Sequence, residues 1–170
     1  MLEIIEKDIF DCDVDVIVNS ANPSLLAGSG LCGLIHKKAG PEMEIYCKEI
    51  GPIDVGEVVI TPAFNAPCKA IVHMIAPRFL LQKYDNEKHE LFKMAYVNVL
   101  ENCKKHNFKS VAFPAVGVGV YGWPVEESAK IALATIYYWI SKEEYVFDKI
   151  IIAIPDIKIL EIYQMVHDNF

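Results

Sequence analysis

The chain has 170 residues and 19.1 kDa, the size of one domain, and is long enough to bury about 68–70% of its unfolded surface. Hydrophobic residues make up 53% and charged residues 23%, a balance that excludes intrinsic disorder. Sixteen Lys and Arg against 23 Asp and Glu leave a net charge of −7 with no basic run, which argues against nucleic acid as a partner. In chain order, β-branched runs bounded by Gly, Pro or Asp predict strands at 2–5 and 14–19, followed by a glycine-rich segment at 28–33. Further strands are expected at 57–61 and 70–75. From Asn86 to Lys105 apolar residues fall at 92, 95, 96, 99, 100 and 103 with charges on the opposite side, the pattern of an amphipathic helix. A strand at 110–114 precedes a second glycine-rich segment, 117–122. Pro124 at a first helical position, with Glu126 and Glu127 in the first turn, begins a helix reaching about residue 141. A strand at 149–154 and a shorter helix starting at Asp156 complete the series. Such alternation signals an α/β fold, and one domain over residues 1–170 is expected.

The uncharged stretch 110–125 holds three glycines and two prolines in 16 residues, too short and too broken to span a bilayer, so no membrane partner is expected. Four charges among the first eight residues stand where a secretory signal needs an apolar core, and an intracellular, cytoplasmic location is the expectation. The five cysteines, Cys12, Cys32, Cys47, Cys68 and Cys103, are odd in number and never closer than 15 residues. They read as reduced thiols. The five histidines have no metal-ligand spacing, and neither a metal nor a resident cofactor is expected. Trp123 and Trp139 read as a loop wall and a helix-face core residue.

Gly28-Ser29-Gly30-Leu31-Cys32-Gly33 and Gly117-Val118-Gly119-Val120-Tyr121-Gly122 each set glycines between a strand and a helix. Clustering glycine there lets backbone N–H groups approach an anion with no Cβ in the way, and a diphosphate fits that demand. Helix N-termini then supply positive potential that an acidic chain otherwise lacks. A Rossmann dinucleotide site is disfavoured, because its glycines follow the first strand at once whereas residues 20–28 largely intervene here. The acid about 20 residues on, Asp54, precedes a strand instead of ending one. Neither loop ends in Gly-Lys-Ser/Thr, which excludes a Walker site.

Asp15-Val16-Ile17-Val18-Asn19-Ser20-Ala21-Asn22, then 25–36 and Ala39-Gly40-Pro41, resemble the first signature of the macrodomain family, which binds ADP-ribose. Gly56-Glu57, Val72-His73, Phe113-Pro114-Ala115 and Gly119-Val120-Tyr121-Gly122 match further landmarks in order, from about Glu6 to the C-terminal helix. The resemblance implies a three-layer α/β/α sandwich around a mixed, largely parallel sheet, with the ligand in a cleft at the strand ends. It implies that Asp8 accepts from the adenine amine, that the Ile9 amide lies beside the base, and that Ala21 and Asn22 meet the distal ribose. Gly28, Ser29, Gly30, Leu31 and Cys32 would hold the distal ribose and one phosphate. Gly117, Val118, Gly119 and Val120 would cover the diphosphate, Tyr121 would wall the distal ribose, and Pro155 would stand at the place of an adenine-stacking aromatic. Read from the residues alone, Asp8 is a turn acid, Asn22 a turn residue before Pro23, and Tyr121 a core aromatic.

Many hydrolytic relatives within the resemblance carry an aspartate where this chain has Cys32, an acid that helps position or activate water at the ribose C1″ carbon, while some members that lack it hold the water with the asparagine and the ligand's phosphate. A thiol does not replace it simply, so Asn22 and the ligand's own phosphate are left to hold the water, and Cys32 is either a catalytic thiol activated near a helix N-terminus or, as the preferred reading, a loop-packing residue. Two functions compete: hydrolysis of ADP-ribosyl esters, either from mono-ADP-ribosylated proteins or from O-acetyl-ADP-ribose, and binding of ADP-ribose without turnover. The expected partners are ADP-ribose or ADP-ribosylated proteins.

Overall fold

A computed structural model describes residues 1–79 and 86–170. In chain order these form β1 (Leu2–Ile5), a 3-10 turn (Ile9–Asp11), β2 (Val16–Ser20), α1 (Gly30–Ala39), α2 (Pro41–Ile50), β3 (Val58–Pro62), β4 (Ala70–Met74), α3 (Asn86–Lys105), β5 (Ser110–Phe113), α4 (Val125–Lys142), β6 (Lys149–Ala153) and α5 (Ile157–Asp168). The strands lie in the order β1-β6-β5-β2-β4-β3. β3 runs antiparallel to β4, and every other pairing is parallel. The mixed, largely parallel sheet expected from the resemblance is what the chain forms.

Successive side chains of a strand point to opposite faces. Val16 and Val18 therefore join Val72, Val111, Phe113, Ile150 and Ile152 in a cluster covered by α3, α4 and α5. Ile17, Ile71, Ala112, Ile151 and Ala153 turn the other way, onto Ile35 of α1 and Met43 and Cys47 of α2. With both faces covered, the inner strands read as nearly unbroken apolar runs, which is why they are visible in the sequence. The six apolar positions expected to face inward from α3, Phe92 to Cys103, are its buried residues.

Three local differences have identifiable causes. β2 starts at Val16 because Asp15 is drawn out of the ladder: its N–H donates to Ser110 Oγ at 2.7 Å, its carboxylate accepts the Lys109 N–H at 2.8 Å, and Lys69 Nζ lies at 3.0 Å. Burial acts to raise the Asp15 carboxyl, but the Lys109 amide and the Lys69 ammonium carry it below the usual carboxylate range. Pro124 occupies the cap before α4, its carbonyl accepting the Ser128 N–H at 3.0 Å, so the helix starts one residue later than expected. α2 was not foreseen as a separate helix. Only Met43 and Cys47 are buried on it, while Ile45, Tyr46 and Ile50 face outward and blur the apolar stripe.

Candidate functional site

The segments marked by the sequence meet along one rim of the sheet, at the carboxyl ends of its parallel strands. Asp8 and Ile9 follow β1, Pro155 follows β6, residues 117–121 follow β5, and Ala21 and Asn22 follow β2. Strands are spaced by about 4.8 Å, so the row from β1 to β2 spans roughly 14 Å. A crevice outside the carboxyl ends of the strands is where open α/β sheets take their ligands.

Loop one is held by its own side chains. The Ala21 N–H donates to the Met74 carbonyl at 3.0 Å, and the Leu25 N–H to the Asn22 carbonyl at 2.9 Å. Asn22 Nδ2 donates to the Leu26 carbonyl at 2.9 Å, and its Oδ1 accepts the Ser24 hydroxyl. The Asn22 side chain thus spends one N–H and one lone pair on the loop and keeps one of each for another partner. At Gly33 the chain passes so close to itself that a Cβ would stand 2.3 Å from the Gly28 carbonyl oxygen. Beyond this contact α1 begins at Gly30 with Ser29 as cap, and the Ser29 side chain makes no capping hydrogen bond. Its first turn contains no acid, so the positive end of the helix is neutralised by no side chain of its own first turn. Gly28, Ser29 and Gly30 are exposed, Leu31 is half-buried and Cys32 is buried.

Beneath loop one lies a buried polar chain. Asn19 on β2 and His73 on β4 are register partners, and Asn19 Nδ2 reaches His73 Nδ1 at 3.0 Å. His73 Nε2 meets Thr61 Oγ1 at 2.9 Å, and the Thr61 hydroxyl donates to the Pro62 carbonyl at 3.1 Å. This direction of donation assigns the His73 proton to Nε2. Burial, reinforced by His36, pushes the His73 imidazole down to about 3. His36, on α1, is buried, and burial lowers it as well, against the pull of Glu44 and the Leu25 backbone. Cys32 joins the same chain: its thiol accepts from Asn19 Nδ2 at 3.7 Å and donates to the Leu26 carbonyl at 3.5 Å. The thiol therefore fastens α1 to β2 and loop one, the packing role read from sequence. His36 and His73 are both buried beneath loop one. Asn19 and Thr61 were missed, although an asparagine closing the apolar run 14–19 was a visible anomaly.

Loop two turns on Gly117, at φ 81°, where a Cβ would come within 2.9 Å of Trp123 Cδ1. The Trp123 N–H closes the turn onto the Gly117 carbonyl at 2.9 Å. Trp123, expected as a loop wall, is instead a core residue whose indole N–H donates to the Pro77 carbonyl at 2.7 Å. A buried indole needs such a partner. Trp139 is a core residue, as expected. Val118 is half-buried, and Gly119 and Val120 form the exposed tip of the loop. Tyr121 packs partly against the core, and its ring lies 4.9 Å from the Arg78 guanidinium. Burial raises the Tyr121 hydroxyl; Arg78 opposes this and the Cys32 thiol adds to it. Arg78 was not singled out in the sequence.

At the far end of the row, Asp8 is exposed and its Oδ1 caps the 3-10 turn by accepting the Phe10 N–H at 2.9 Å. Ile9 packs its side chain into the core beside Asp8. Pro155 is exposed, immediately before Asp156, which caps α5 by accepting the Lys158 and Ile159 N–H groups. Among the described residues, no three His, Cys, Asp or Glu side chains gather in a metal-holding group.

Comparison with known proteins places this geometry in context. The Macro domain family model matches residues 18–132. An uncharacterized Fusobacterium nucleatum protein is 40% identical over 152 residues, 89% of this chain and 86% of its own length. A Klebsiella pneumoniae protein named O-acetyl-ADP-ribose deacetylase is 40% identical over 144 residues, 82% of this chain and 81% of its own. Among solved structures, a variant of the Oceanobacillus iheyensis macrodomain with ADPR superposes with a TM-score of 0.91 at 34% identity, covering 99% of this chain and 92% of that one.

Proposed function

Because the chain belongs to the macro domain family, we propose that it binds ADP-ribose along the rim and hydrolyses O-acetyl-ADP-ribose or ADP-ribose esterified to protein carboxylates. The observation that carries this reading is the row itself: a turn acid at β1, two glycine loops at β2 and β5, and an α1 N-terminus with no side-chain cap, all on one rim. The backbone N–H groups of Ser29 to Cys32 and of Gly117 to Tyr121 receive the diphosphate, supplying positive potential without Lys or Arg. The carboxylate of Asp8 accepts the adenine amine, with Ile9 beside the base and Pro155 offering a flat but weaker face. The remaining N–H and lone pair of Asn22 match a ribose diol. Asn22 and a ligand phosphate then hold the attacking water, and positioning of this kind acts mainly on the transition state.

A second reading, binding without turnover, is favoured by the environment of Cys32. The thiol is buried and engaged with Asn19 and Leu26, and no carboxylate stands in its place. Calorimetry with ADP-ribose, followed by single-turnover release of acetate from O-acetyl-ADP-ribose and of ADP-ribose from a glutamate-modified protein, separates the two. Binding with release supports the hydrolase. Binding without release leaves the reader, and absence of binding refutes both.

A further inference from the structure

Arg78 is the only arginine in the sequence, and neither glycine-rich loop contains a Lys or Arg. It follows β4, the strand beside β2, and so extends the rim one step past Asn22. The backbone around it is fixed on three sides: the Pro77 carbonyl accepts the Trp123 indole N–H at 2.7 Å, the Phe79 N–H donates to the Tyr121 carbonyl at 2.8 Å, and the Arg78 carbonyl accepts Lys88 Nζ at 2.9 Å. Its exposed guanidinium lies over the Tyr121 ring at 4.9 Å. Stacking on the ring face leaves the N–H edge of a guanidinium open, and that fork matches a carboxylate in two parallel bonds.

The geometry points to Arg78 as the group that receives the carboxylate half of the substrate, making it the residue that selects acyl esters. This rests on the proposed ADP-ribose site and names what lies beyond the distal ribose. Both routes of ester hydrolysis release a carboxylate. If water attacks C1″, a C1″–OH bond forms, the C1″–O bond breaks with its electron pair leaving on the carboxylate, and a proton passes to solvent. If water attacks the acyl carbon, a new bond forms from the water oxygen to that carbon, the bond from the acyl carbon to the ribose oxygen breaks, the ribose oxygen takes one proton, and the carboxylate departs with a second proton lost to solvent. In either case the negative charge grows at the mouth of a chain of net charge −7, where a cation beside Tyr121 offsets it.

The test compares wild type, Arg78→Ala and Arg78→Lys in single-turnover hydrolysis of O-acetyl-ADP-ribose and of an ADP-ribosylated glutamate peptide, with ADP-ribose affinity measured in parallel. Arg78→Ala is expected to slow ester turnover about tenfold, the effect of one partly exposed charge-assisted contact, and to change ADP-ribose affinity by less than about twofold. Millimolar guanidinium restores its rate, and Arg78→Lys retains part of it. A role confined to propping Tyr121 predicts parallel loss of affinity and rate with no rescue, and that result overturns the assignment, as does an unchanged rate in Arg78→Ala. If wild type binds ADP-ribose without turnover, free acetate must bind the ADP-ribose complex of wild type more tightly than that of Arg78→Ala; equal affinities overturn the assignment. If wild type does not bind ADP-ribose at all, the site itself fails, a result distinct from any effect of Arg78.

Discussion

Replacing Gly33 by alanine tests whether the shape of loop one, more than its composition, makes the anion site. The added Cβ would stand 2.3 Å from the Gly28 carbonyl oxygen, inside the 3.0 Å that real Cβ contacts respect. Either α1 or loop one must retreat by about 0.7 Å. An amide carried that far lengthens a 2.9 Å hydrogen bond to about 3.6 Å, beyond bonding range. Losing one or two charge-assisted bonds to a diphosphate, at about 1.5–3 kcal/mol each, weakens ADP-ribose about 100-fold. Folding stability moves less, because alanine gains about 1 kcal/mol over glycine inside a helix and offsets part of the strain. Gly119→Ala is the stability control: nothing lies within 4 Å of its Cβ position. Calorimetry with ADP-ribose and thermal unfolding of both variants provide the measurement. A Gly33→Ala protein that binds like wild type would show that loop one does not form the phosphate cradle.

Asn22→Ala should lower ester turnover more than ADP-ribose affinity, since a positioned water matters most in the transition state; equal losses in single-turnover rate and calorimetric affinity would argue that Asn22 only shapes its loop. Cys32→Ala should leave both quantities nearly intact, and loss of turnover in that variant alone would assign the thiol a chemical role. Salt should weaken ADP-ribose binding only mildly, because backbone amides release few counterions; a steep log–log slope would reveal a basic surface. Acid should destabilise the fold through His73. Its imidazole is at about 3 when folded against an ordinary 6.5, so below pH 6.5 the unfolded chain binds a proton that the folded chain refuses. That stability is complete above pH 6.5 and is lost toward pH 3, by up to about 1.4 kcal/mol per pH unit, and urea unfolding of His73→Gln should give a flatter pH dependence.

What the sequence made legible was set by periodicity. Inner strands such as β6, buried on both faces, and α3, with its six inward positions, carry unambiguous patterns. α2 escaped because three apolar residues face solvent on a helix that buries only two, and Trp123 was misplaced because a loop tryptophan reveals nothing of where its indole N–H finds a carbonyl. The glycines of both loops were readable as unusual, but their purpose depends on contacts between residues such as Gly33 and Gly28 that only the folded chain brings together. Arg78 was invisible for the same reason: its partner, Tyr121, is separated from it by the whole of α3 and β5.

The polar chain beneath loop one explains why this rim can hold a site without charged scaffolding. Asn19, His73 and Thr61 connect β2, β4 and β3 across the face that α1 covers, and Cys32 links the first turn of α1 to Asn19. A neutral network of this kind fixes α1 relative to the sheet yet adds no charge beneath amides that must attract an anion. A buried carboxylate at position 32 would oppose those amides and face the Leu26 carbonyl, two unfavourable terms, against one favourable contact with Asn19 Nδ2. The arrangement around Cys32 therefore favours ligand affinity in the proposed site, and whatever charge catalysis needs there must come from the rim side of the cleft, from the phosphates of the proposed ligand and from Arg78.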